Sequence, residues 1–312
     1  MKRIAFIGEC MIELNGEPFG TMQQRYGGDT LNSATYLARV SDPEQIQVNY
    51  LSALGTDRLS QGMLKAWQAD KINTDWVLID ENRQPGLYLV QLDKSGERTF
   101  LYWRNQSAAR YLLQHPNYPA VLAQLSAVDM IYLSGISLAI LPVEDRIQLL
   151  AQLQQLKTQG IEIAFDSNFR PKLWDSFEQV QQCYAQLLPL VDLALVTFDD
   201  EQLLWNDRDE QQTLQRLSAL GVKTVVVKQG KFGASFYHQQ QVQQVPAQVV
   251  QQVVDTTSAG DAFNAGFLNG YLRHKPLVQC CQQGNQLASI VIQHKGAIIA
   301  PEYTQHLIKQ FN

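Results

Sequence analysis

The sequence predicts an α/β protein with a doubly wound, mostly parallel central sheet and a small antiparallel β lid. Three observations support the fold class: short apolar runs, amphipathic helical patterns between them, and two segments that interrupt the alternation. A chain of 312 residues, with 45% hydrophobic and 18% charged residues, can bury a sizeable core. We expect residues 1–312 to form a single domain.

The apolar runs have the length and composition of buried strands. They occupy residues 2–8, 130–133, 161–165, 193–196 and 224–227. Between them, apolar residues recur at three- and four-residue spacing. This spacing predicts helices at residues 30–40, 146–157, 178–188 and 210–220. Strands that alternate with helices favour a parallel sheet covered on both faces.

Residues 10–26 and 85–104 break this alternation and contain no helical pattern. Within the second segment, β-rich runs at residues 87–92 and 98–103 flank an Asp-Lys-Ser-Gly turn at residues 93–96, which is a hairpin signal. We expect the two segments to form the lid over the main sheet. A lid of this kind excludes water from a transfer reaction.

Composition and charge limit the kinds of partner that the protein is expected to bind. A net charge of −5 without a basic cluster argues against nucleic acid. Cys10, Cys183, Cys280 and Cys281 form no regular framework, so we expect reduced thiols in a cytoplasmic protein. The longest uncharged stretch, residues 130–143, is too short to span a bilayer, so we expect no membrane partner.

Residues 255–261, Asp-Thr-Thr-Ser-Ala-Gly-Asp, join a small-residue turn to an apolar-periodic helix, which we expect to be the last major helix. Backbone N–H groups and the positive end of the helix dipole would converge there beside a carboxylate. This combination suits phosphoryl transfer, which needs an anion cradle and a base. A structural helix cap explains the same residues equally well.

Other candidates follow turns and strand ends. Gly28, Asp29 and Asn32 belong to a second turn-to-helix junction that can address sugar hydroxyls or simply cap a helix. Arg104 ends a lid strand, and Arg170 follows a strand end, where ligands of open α/β sheets bind. Each arginine could bind a carboxylate or phosphate, or form a surface ion pair.

Aromatic residues and glycines add weaker candidates. Tyr88 and Tyr102 could pack on a ligand or fill the space beneath the lid. Residues 228–233, Lys-Gln-Gly-Lys-Phe-Gly, follow a strand where a nucleotide could lie. The sequence contains no Walker-type phosphate loop. It also contains no G-x-G-x-x-G after the first strand, which argues against a nicotinamide-dependent dehydrogenase.

Taken in order, these motifs resemble the ribokinase-like, or phosphofructokinase-B, carbohydrate kinases. The shared features are the early Gly-Gly turn, a Gly-x-Asp segment at residues 55–57 and the signature at residues 255–261. Within that superfamily, five motifs are similar to those of 2-keto-3-deoxygluconate kinases. These are Gly-Glu-Cys-Met-Ile-Glu at 8–13, Gly-Gly-Asp-Thr-Leu-Asn at 27–32, Gly-Glu-Arg-Thr-Phe at 96–100, Tyr-Trp-Arg at 102–104 and Asp-Ser-Asn-Phe-Arg-Pro at 166–171.

The resemblance implies ATP-dependent phosphorylation of a sugar acid at its terminal hydroxyl, with magnesium and, in some relatives, potassium near Asp255 and Thr257. Asp261 would be the general base, and the backbone of Ala259, Gly260 and Asp261 the anion hole. The implied sugar-acid residues are Gly28, Asp29, Asn32, Tyr88, Tyr102, Arg104, Arg170 and Asp261. The implied ATP residues are Asn168, Lys228, Gly230, Gly233, Ser258, Ala259, Gly260 and Asn285. The metal ligands are left unassigned.

The chain departs from the superfamily pattern in three places. Ser258 replaces the first glycine of Gly-Ala-Gly-Asp, a change small enough to keep the turn if its φ is negative. Asp29 stands where many sugar kinases have Asn, which points toward the keto-deoxy acids. Thr-Phe-Asp-Asp-Glu at residues 197–201 replaces an Asn-x-x-Glu turn, so a metal role for Glu201 is left open.

Alternatives to this function are a kinase for fructose, ribose or a nucleoside, and a non-catalytic sugar-binding regulatory protein on the same fold. A neutral substrate needs no arginine to bind a carboxylate, and a non-catalytic protein needs no base. Apolar residues on both faces of the lid favour a homo-oligomer, such as a dimer through the lid.

Overall fold

The computed structural model describes residues 1–92, 98–238 and 241–312. Its strands are β1 (Lys2–Ile7), β2 (Met11–Gly16), β3 (Met22–Gly27), β4 (Ile46–Leu54), β5 (Val77–Ile79), β6 (Leu87–Leu92), β7 (Arg98–Trp103), β8 (Met130–Ser134), β9 (Glu162–Asp166), β10 (Leu193–Thr197), β11 (Thr224–Lys228), β12 (Ala234–His238) and β13 (Gln241–Val245). Its α-helices are α1 (Asp29–Val40), α2 (Arg58–Ala69), α3 (Tyr118–Gln124), α4 (Gly135–Ala139), α5 (Val143–Thr158), α6 (Phe177–Leu187), α7 (Phe198–Trp205), α8 (Glu210–Ala219), α9 (Ala259–Leu272), α10 (Leu277–Val291) and α11 (Ile308–Phe311). The turn predicted at residues 93–96 lies outside the described residues.

The main sheet has nine strands in the order β13-β12-β11-β10-β9-β8-β1-β4-β5. Every neighbouring pair from β11 to β5 is parallel, whereas β12 pairs antiparallel with both β11 and β13. This mostly parallel sheet confirms the predicted class. Parallel strands place their carboxyl ends on one edge, so that edge is where a ligand site is expected.

Helices cover both faces of the main sheet. Along β1, Ile4 and Phe6 enter one hydrophobic core, while Ala5 and Ile7 enter the other. The first core packs against α1, α2, α9 and α10. The second packs against α3, α5, α6 and α8. Successive strand residues point to opposite faces, which explains why a strand between two helix layers is apolar throughout.

A separate four-stranded sheet has the order β3-β2-β6-β7 and is here called the small sheet. It is mixed rather than wholly antiparallel, because β2 and β6 form a central parallel pair between two antiparallel pairs. Both central strands follow strands of the main sheet, β1 and β5, so both leave the main sheet in the same direction. The two β-rich segments predicted from the sequence supply all four strands.

The predicted strands match the structure to within one residue at each end, and the predicted helices to within three. The sequence missed β4, since its polar residues interrupt the apolar run; one of them, Asn49, is buried and donates from Nδ2 to the Ile4 carbonyl at 3.1 Å. The expectation that α9 is the last major helix was wrong, because α10 follows it with 15 residues.

All four cysteines are buried and free. Within the described ranges, no helix has both the length and the apolar character needed to cross a membrane.

Candidate active site

A cavity of about 380 Å³ lies between the small sheet and the carboxyl ends of β9, β10 and β11. We call it the central cavity. It brings together twelve of the residues predicted from sequence. They are Gly28, Asp29, Asn32, Tyr88, Tyr102, Asn168, Arg170, Lys228, Ser258, Ala259, Gly260 and Asp261. Residues more than 200 positions apart in sequence therefore share one site, as the resemblance implied.

The start of α9 forms one wall of this cavity. Asp255 precedes it and accepts hydrogen bonds from the backbone N–H groups of Thr257 at 3.0 Å and Gly296 at 2.8 Å. The first N–H groups of a helix lack acceptors within the helix itself, so they favour an anion. A Cβ at Gly260 would lie 3.5 Å from Lys228 Nζ, which places that ammonium beside the start of α9.

Ser258 immediately precedes α9 and adopts a left-handed conformation with φ of 65°. This φ is positive, so the turn is not kept in the way the sequence argument required, through a negative φ at Ser258. Its Oγ donates to Asp261 Oδ2 at 2.9 Å. A left-handed conformation favours glycine, so this serine keeps a strained backbone and adds a hydrogen bond that glycine cannot make.

Asp261 occupies the first turn of α9 and is partly buried. Asn32 Nδ2 donates to the same Oδ2 oxygen at 2.9 Å. Burial, and after it the neighbouring Asp29 carboxylate, raise the pKa of the Asp261 carboxyl to about 7. The hydrogen bonds from Asn32 and Ser258 oppose that rise because they stabilise the charged form. A carboxyl with this pKa can exchange a proton near neutral pH.

Asp29 begins α1 on the opposite wall. Asn168, in the turn after β9, donates from Nδ2 to Asp29 Oδ2 at 2.7 Å. The preceding Gly28 allows α1 to approach closely, since a Cβ there would lie 2.1 Å from the Glu9 carbonyl oxygen. The glycine is therefore required by packing, and the two polar side chains link α1 to the main sheet.

A buried network lies beneath the cavity. Lys228 Nζ contacts Asp166 Oδ2 at 3.0 Å and Asn264 Oδ1 at 3.1 Å. Asn264 Nδ2 in turn donates to Asp166 Oδ2 at 2.7 Å and to Tyr132 Oη at 2.8 Å. Sequence reasoning missed Asp166 and Asn264 as members of the site. Their positions, at a strand end and three residues after Asp261, were available signals.

Arg170 is half exposed, and its Nη1 lies 3.9 Å from Asp200 Oδ1. Burial raises the pKa of Asp200 to about 6, and Arg170 opposes that rise. Asp200 lines the cavity, although the sequence interpretation had considered only its neighbour Glu201. Glu201 is buried instead against Arg216, whose Nη2 donates to Glu201 Oε2 at 2.7 Å.

The small sheet forms the remaining wall. Tyr88 is buried, and its hydroxyl donates to Glu13 Oε2 at 2.5 Å. The exposed Tyr102 packs beside it, with ring centroids 6.1 Å apart. Both rings line the central cavity, so the small sheet contributes apolar faces and Tyr88 is fixed by a hydrogen bond.

Four predicted residues lie outside the central cavity. Arg104 is buried against Glu9 and lines an adjoining cavity of about 680 Å³, which shares Tyr102 with the central one. Gly230 and Gly233 flank the turn after β11, both with positive φ. Asn285, in α10, donates from Nδ2 to the carbonyls of residues 245 and 246. Their predicted ligand roles stay predictions.

Among the described residues, no group of three or more His, Cys, Asp or Glu side chains is arranged to hold a metal ion. The carboxylates of Asp166 and Asp200 both line the central cavity.

Comparisons with known proteins identify the family of this chain. The model of the pfkB family of carbohydrate kinases matches residues 1–304. The chain belongs to this family. A 2-dehydro-3-deoxygluconokinase of Haemophilus influenzae is 65% identical, with 100% of each chain covered. The enzyme of that name from Dickeya dadantii is 43% identical over 96% of this chain and 98% of its own.

A solved structure supports the fold. It is a putative ribokinase II from Escherichia coli in complex with ATP and Mg²⁺, with a TM-score of 0.83 and 21% sequence identity. The alignment covers 100% of this chain and 99% of that one.

Proposed function

We propose that this protein is an ATP-dependent kinase that phosphorylates 2-dehydro-3-deoxygluconate, also called 2-keto-3-deoxygluconate. The product is 2-keto-3-deoxy-6-phosphogluconate, because the terminal 6-hydroxyl receives the phosphoryl group. The 65% identity with the Haemophilus influenzae enzyme over the whole chain carries this proposal. The reaction belongs to the breakdown of hexuronates and related sugar acids.

Asp261 acts as the general base in this proposal. The described hydrogen bonds from Asn32 and Ser258 both go to Oδ2, which leaves Oδ1 to face the substrate hydroxyl. As the carboxylate, Asp261 removes the proton of the substrate hydroxyl. The hydroxyl oxygen then attacks the γ-phosphorus of ATP, and ADP leaves. A pKa of about 7 supports the role, since carboxylate and acid are then both accessible at neutral pH.

The start of α9 acts as the anion hole. Its N–H groups, at Ala259 and Gly260, and the helix dipole stabilise charge on the transferred phosphoryl group. The Lys228 ammonium, 3.5 Å from the Cβ position of Gly260, adds a positive charge there. ATP extends from this point along Asn168, Ser258 and the turn after β11, which holds Gly230 and Gly233, toward Asn285.

Magnesium fits this wall because Mg²⁺ prefers oxygen ligands and uses one or two carboxylates together with phosphates and water. Asp166 and Asp200 supply such carboxylates. The ion, when bound, offsets negative charge on the phosphates of ATP. A potassium ion near Asp255 and Thr257 belongs to the same proposal, and omission of potassium from the assay tests it.

The sugar acid lies under the small sheet. Its hydroxyls meet Asp29 and Asn32 beside Gly28, and its carbon chain packs on Tyr88 and Tyr102. Its carboxylate meets the arginines, Arg170 from the main sheet and Arg104 from the small sheet. The small sheet, built from about residues 10–26 and 85–104, serves as the lid of a single domain of residues 1–312 and excludes water.

The protein also forms a homodimer through the lid in this proposal, and it acts in the cytoplasm. Two exposed side chains on β7 that lie outside the central cavity support the dimer: Leu101 and Trp103. The four free thiols support a reducing compartment.

The test is an assay of ADP release with Mg-ATP. The substrate panel contains 2-keto-3-deoxygluconate, 2-keto-3-deoxygalactonate, gluconate, fructose, ribose and adenosine. Turnover confined to the keto-deoxy acids supports the proposal. Turnover on a neutral sugar supports a kinase but contradicts the carboxylate-binding role of the arginines. Absence of activity on every substrate of the panel favours a non-catalytic sugar-binding protein.

A further inference from the structure

We propose that Glu9 is a positioning residue of the sugar-acid site. Its buried carboxylate holds the Arg104 guanidinium at the junction of the two sheets, so that the arginine meets the acid in a fixed orientation. This inference rests on the proposed function, in which Arg104 binds the carboxylate of the substrate.

The contacts of Glu9 place it at that junction. It follows β1 at the carboxyl edge of the main sheet and is only 2% exposed. One carboxylate oxygen, Oε2, accepts from Arg104 Nη2, and the other, Oε1, accepts from Ser107 Oγ at 2.5 Å. Arg104 and Ser107 both follow β7, the edge strand of the small sheet. One carboxylate thus binds the end of the small sheet to the main sheet.

Gly86 shows how closely this pair approaches the central cavity. A Cβ built there would lie 2.9 Å from Glu9 Oε1, 3.0 Å from Met11 Cγ and 3.1 Å from Arg104 Cβ. Met11 lines the central cavity, and Arg104 lines the adjoining one. The arginine stem therefore runs directly behind the cavity wall, and the absence of a side chain at Gly86 makes the room.

Glu9 uses only part of the Arg104 guanidinium. Arginine has five N–H donors in a planar fork, and the contact with Glu9 engages Nη2. Arg104 Nε is buried without a hydrogen-bond partner among the residues that the structure describes. An unsatisfied buried donor is unfavourable, so an acceptor supplied by a ligand is favoured at this arginine. The acid carboxylate is such an acceptor and can bind an arginine through two parallel hydrogen bonds.

The tyrosine between the cavities adds to this orientation. Arg104 Cζ lies 5.8 Å from the centroid of the Tyr102 ring, and Tyr102 lines both cavities. Because the guanidinium contacts Glu9 and lies near the Tyr102 ring, it is confined before the substrate arrives. A side chain already ordered loses less conformational entropy on binding, which strengthens binding without a new contact.

Steady-state kinetics of Glu9→Gln, Arg104→Met and the double variant test the inference. Glutamine keeps the size of Glu9 and removes its charge. We expect Glu9→Gln to raise KM for 2-keto-3-deoxygluconate by about tenfold or more, with KM for ATP unchanged and kcat reduced less than threefold. In the Arg104→Met background, Glu9→Gln should cause no further rise, because Glu9 acts through Arg104.

Asp192→Asn is the matched control. Asp192 is also a buried carboxylate with two cationic partners, Lys157 and Lys223, but it lies at the opposite edge of the main sheet, before β10. We expect this variant to lose thermal stability while KM for the acid stays within twofold.

The outcomes separate the two proposals. A wild-type enzyme that phosphorylates the acid, together with a Glu9→Gln variant whose KM for the acid is within twofold of wild type, overturns the role of Glu9 alone. That role is also overturned if the effects of Glu9→Gln and Arg104→Met simply multiply. A wild-type enzyme without activity on the acid overturns the proposed function, and the role of Glu9 with it.

Discussion

Ser258 and Asp261 lie within one turn at the start of α9, and the serine affects the protonation of the aspartate. The serine hydroxyl stabilises the Asp261 carboxylate, whereas burial and Asp29 destabilise it. The balance leaves the pKa at about 7, where a change in any one contact alters how much of the base is active at neutral pH.

The pH dependence follows from this pKa. Because the active form of Asp261 is the carboxylate, kcat/KM for the sugar acid should fall tenfold per pH unit as pH drops below about 7. A profile measured from pH 5 to 9 checks this. Asp200→Asn should leave this acid limb in place, and disappearance of the limb in that variant would assign it to Asp200.

Ser258→Ala and Ser258→Gly both remove the hydroxyl that donates to Asp261. Since that hydrogen bond lowers the Asp261 pKa, each variant should move the acid limb to higher pH. Only glycine relieves the left-handed strain at φ 65°, so it should be more stable than the alanine variant by about 1 kcal/mol. Profiles of kcat/KM and urea denaturation measure the two effects. An unmoved limb in both variants would contradict the coupling.

At the scale of elements, α9 packs against α10 through glycines. A Cβ at Gly266 would lie 2.5 Å from the Gln283 carbonyl oxygen, so the two helices are in direct backbone contact. This contact fixes the helix whose first turn forms the anion hole.

Gly266→Ala should therefore destabilise the protein by about 1–3 kcal/mol, although alanine is the better helix former. The control is Gly62→Ala in α2, where a Cβ meets nothing within 4 Å. That variant should stabilise the protein by about 0.5–1 kcal/mol. Urea denaturation gives both values. Equal stabilisation by the two substitutions would show that the helix contact is not tight.

Sequence patterns predicted the elements that can be recognised from their own residue types. The apolar runs became β1, β8, β9, β10 and β11 because strands buried on both faces leave little choice of residue. Strand β4 was not predicted because its buried Asn49 side chain donates a hydrogen bond to the carbonyl of Ile4, which lies 45 residues away in the sequence. The same holds in the site: Asp261 and Asn32 were found from local motifs, whereas the partnership of Glu9 with Arg104 depends on tertiary contact.

For the whole molecule, the small sheet determines how the protein assembles in the proposed dimer. Leu101 and Trp103 are 43% and 57% exposed on its edge strand. Unpaired edge strands with apolar side chains favour association.

Light scattering at micromolar concentration should give twice the chain mass of 35.3 kDa. Leu101→Asp combined with Trp103→Asp should reduce the mass to that of one chain, because charges are costly in an apolar interface. Lys65→Glu, on α2, provides a control for the altered surface charge. A wild-type mass of one chain would contradict the proposed dimer.

The most direct test of the proposed mechanism is the activity of Asp261→Asn with 2-keto-3-deoxygluconate and saturating Mg-ATP. Asparagine keeps the size of the side chain but cannot take the hydroxyl proton. We predict that kcat falls by roughly a hundredfold or more, while the dissociation constant for ATP changes less than threefold. An unchanged kcat would contradict the assignment of Asp261 as the base on which the mechanism depends.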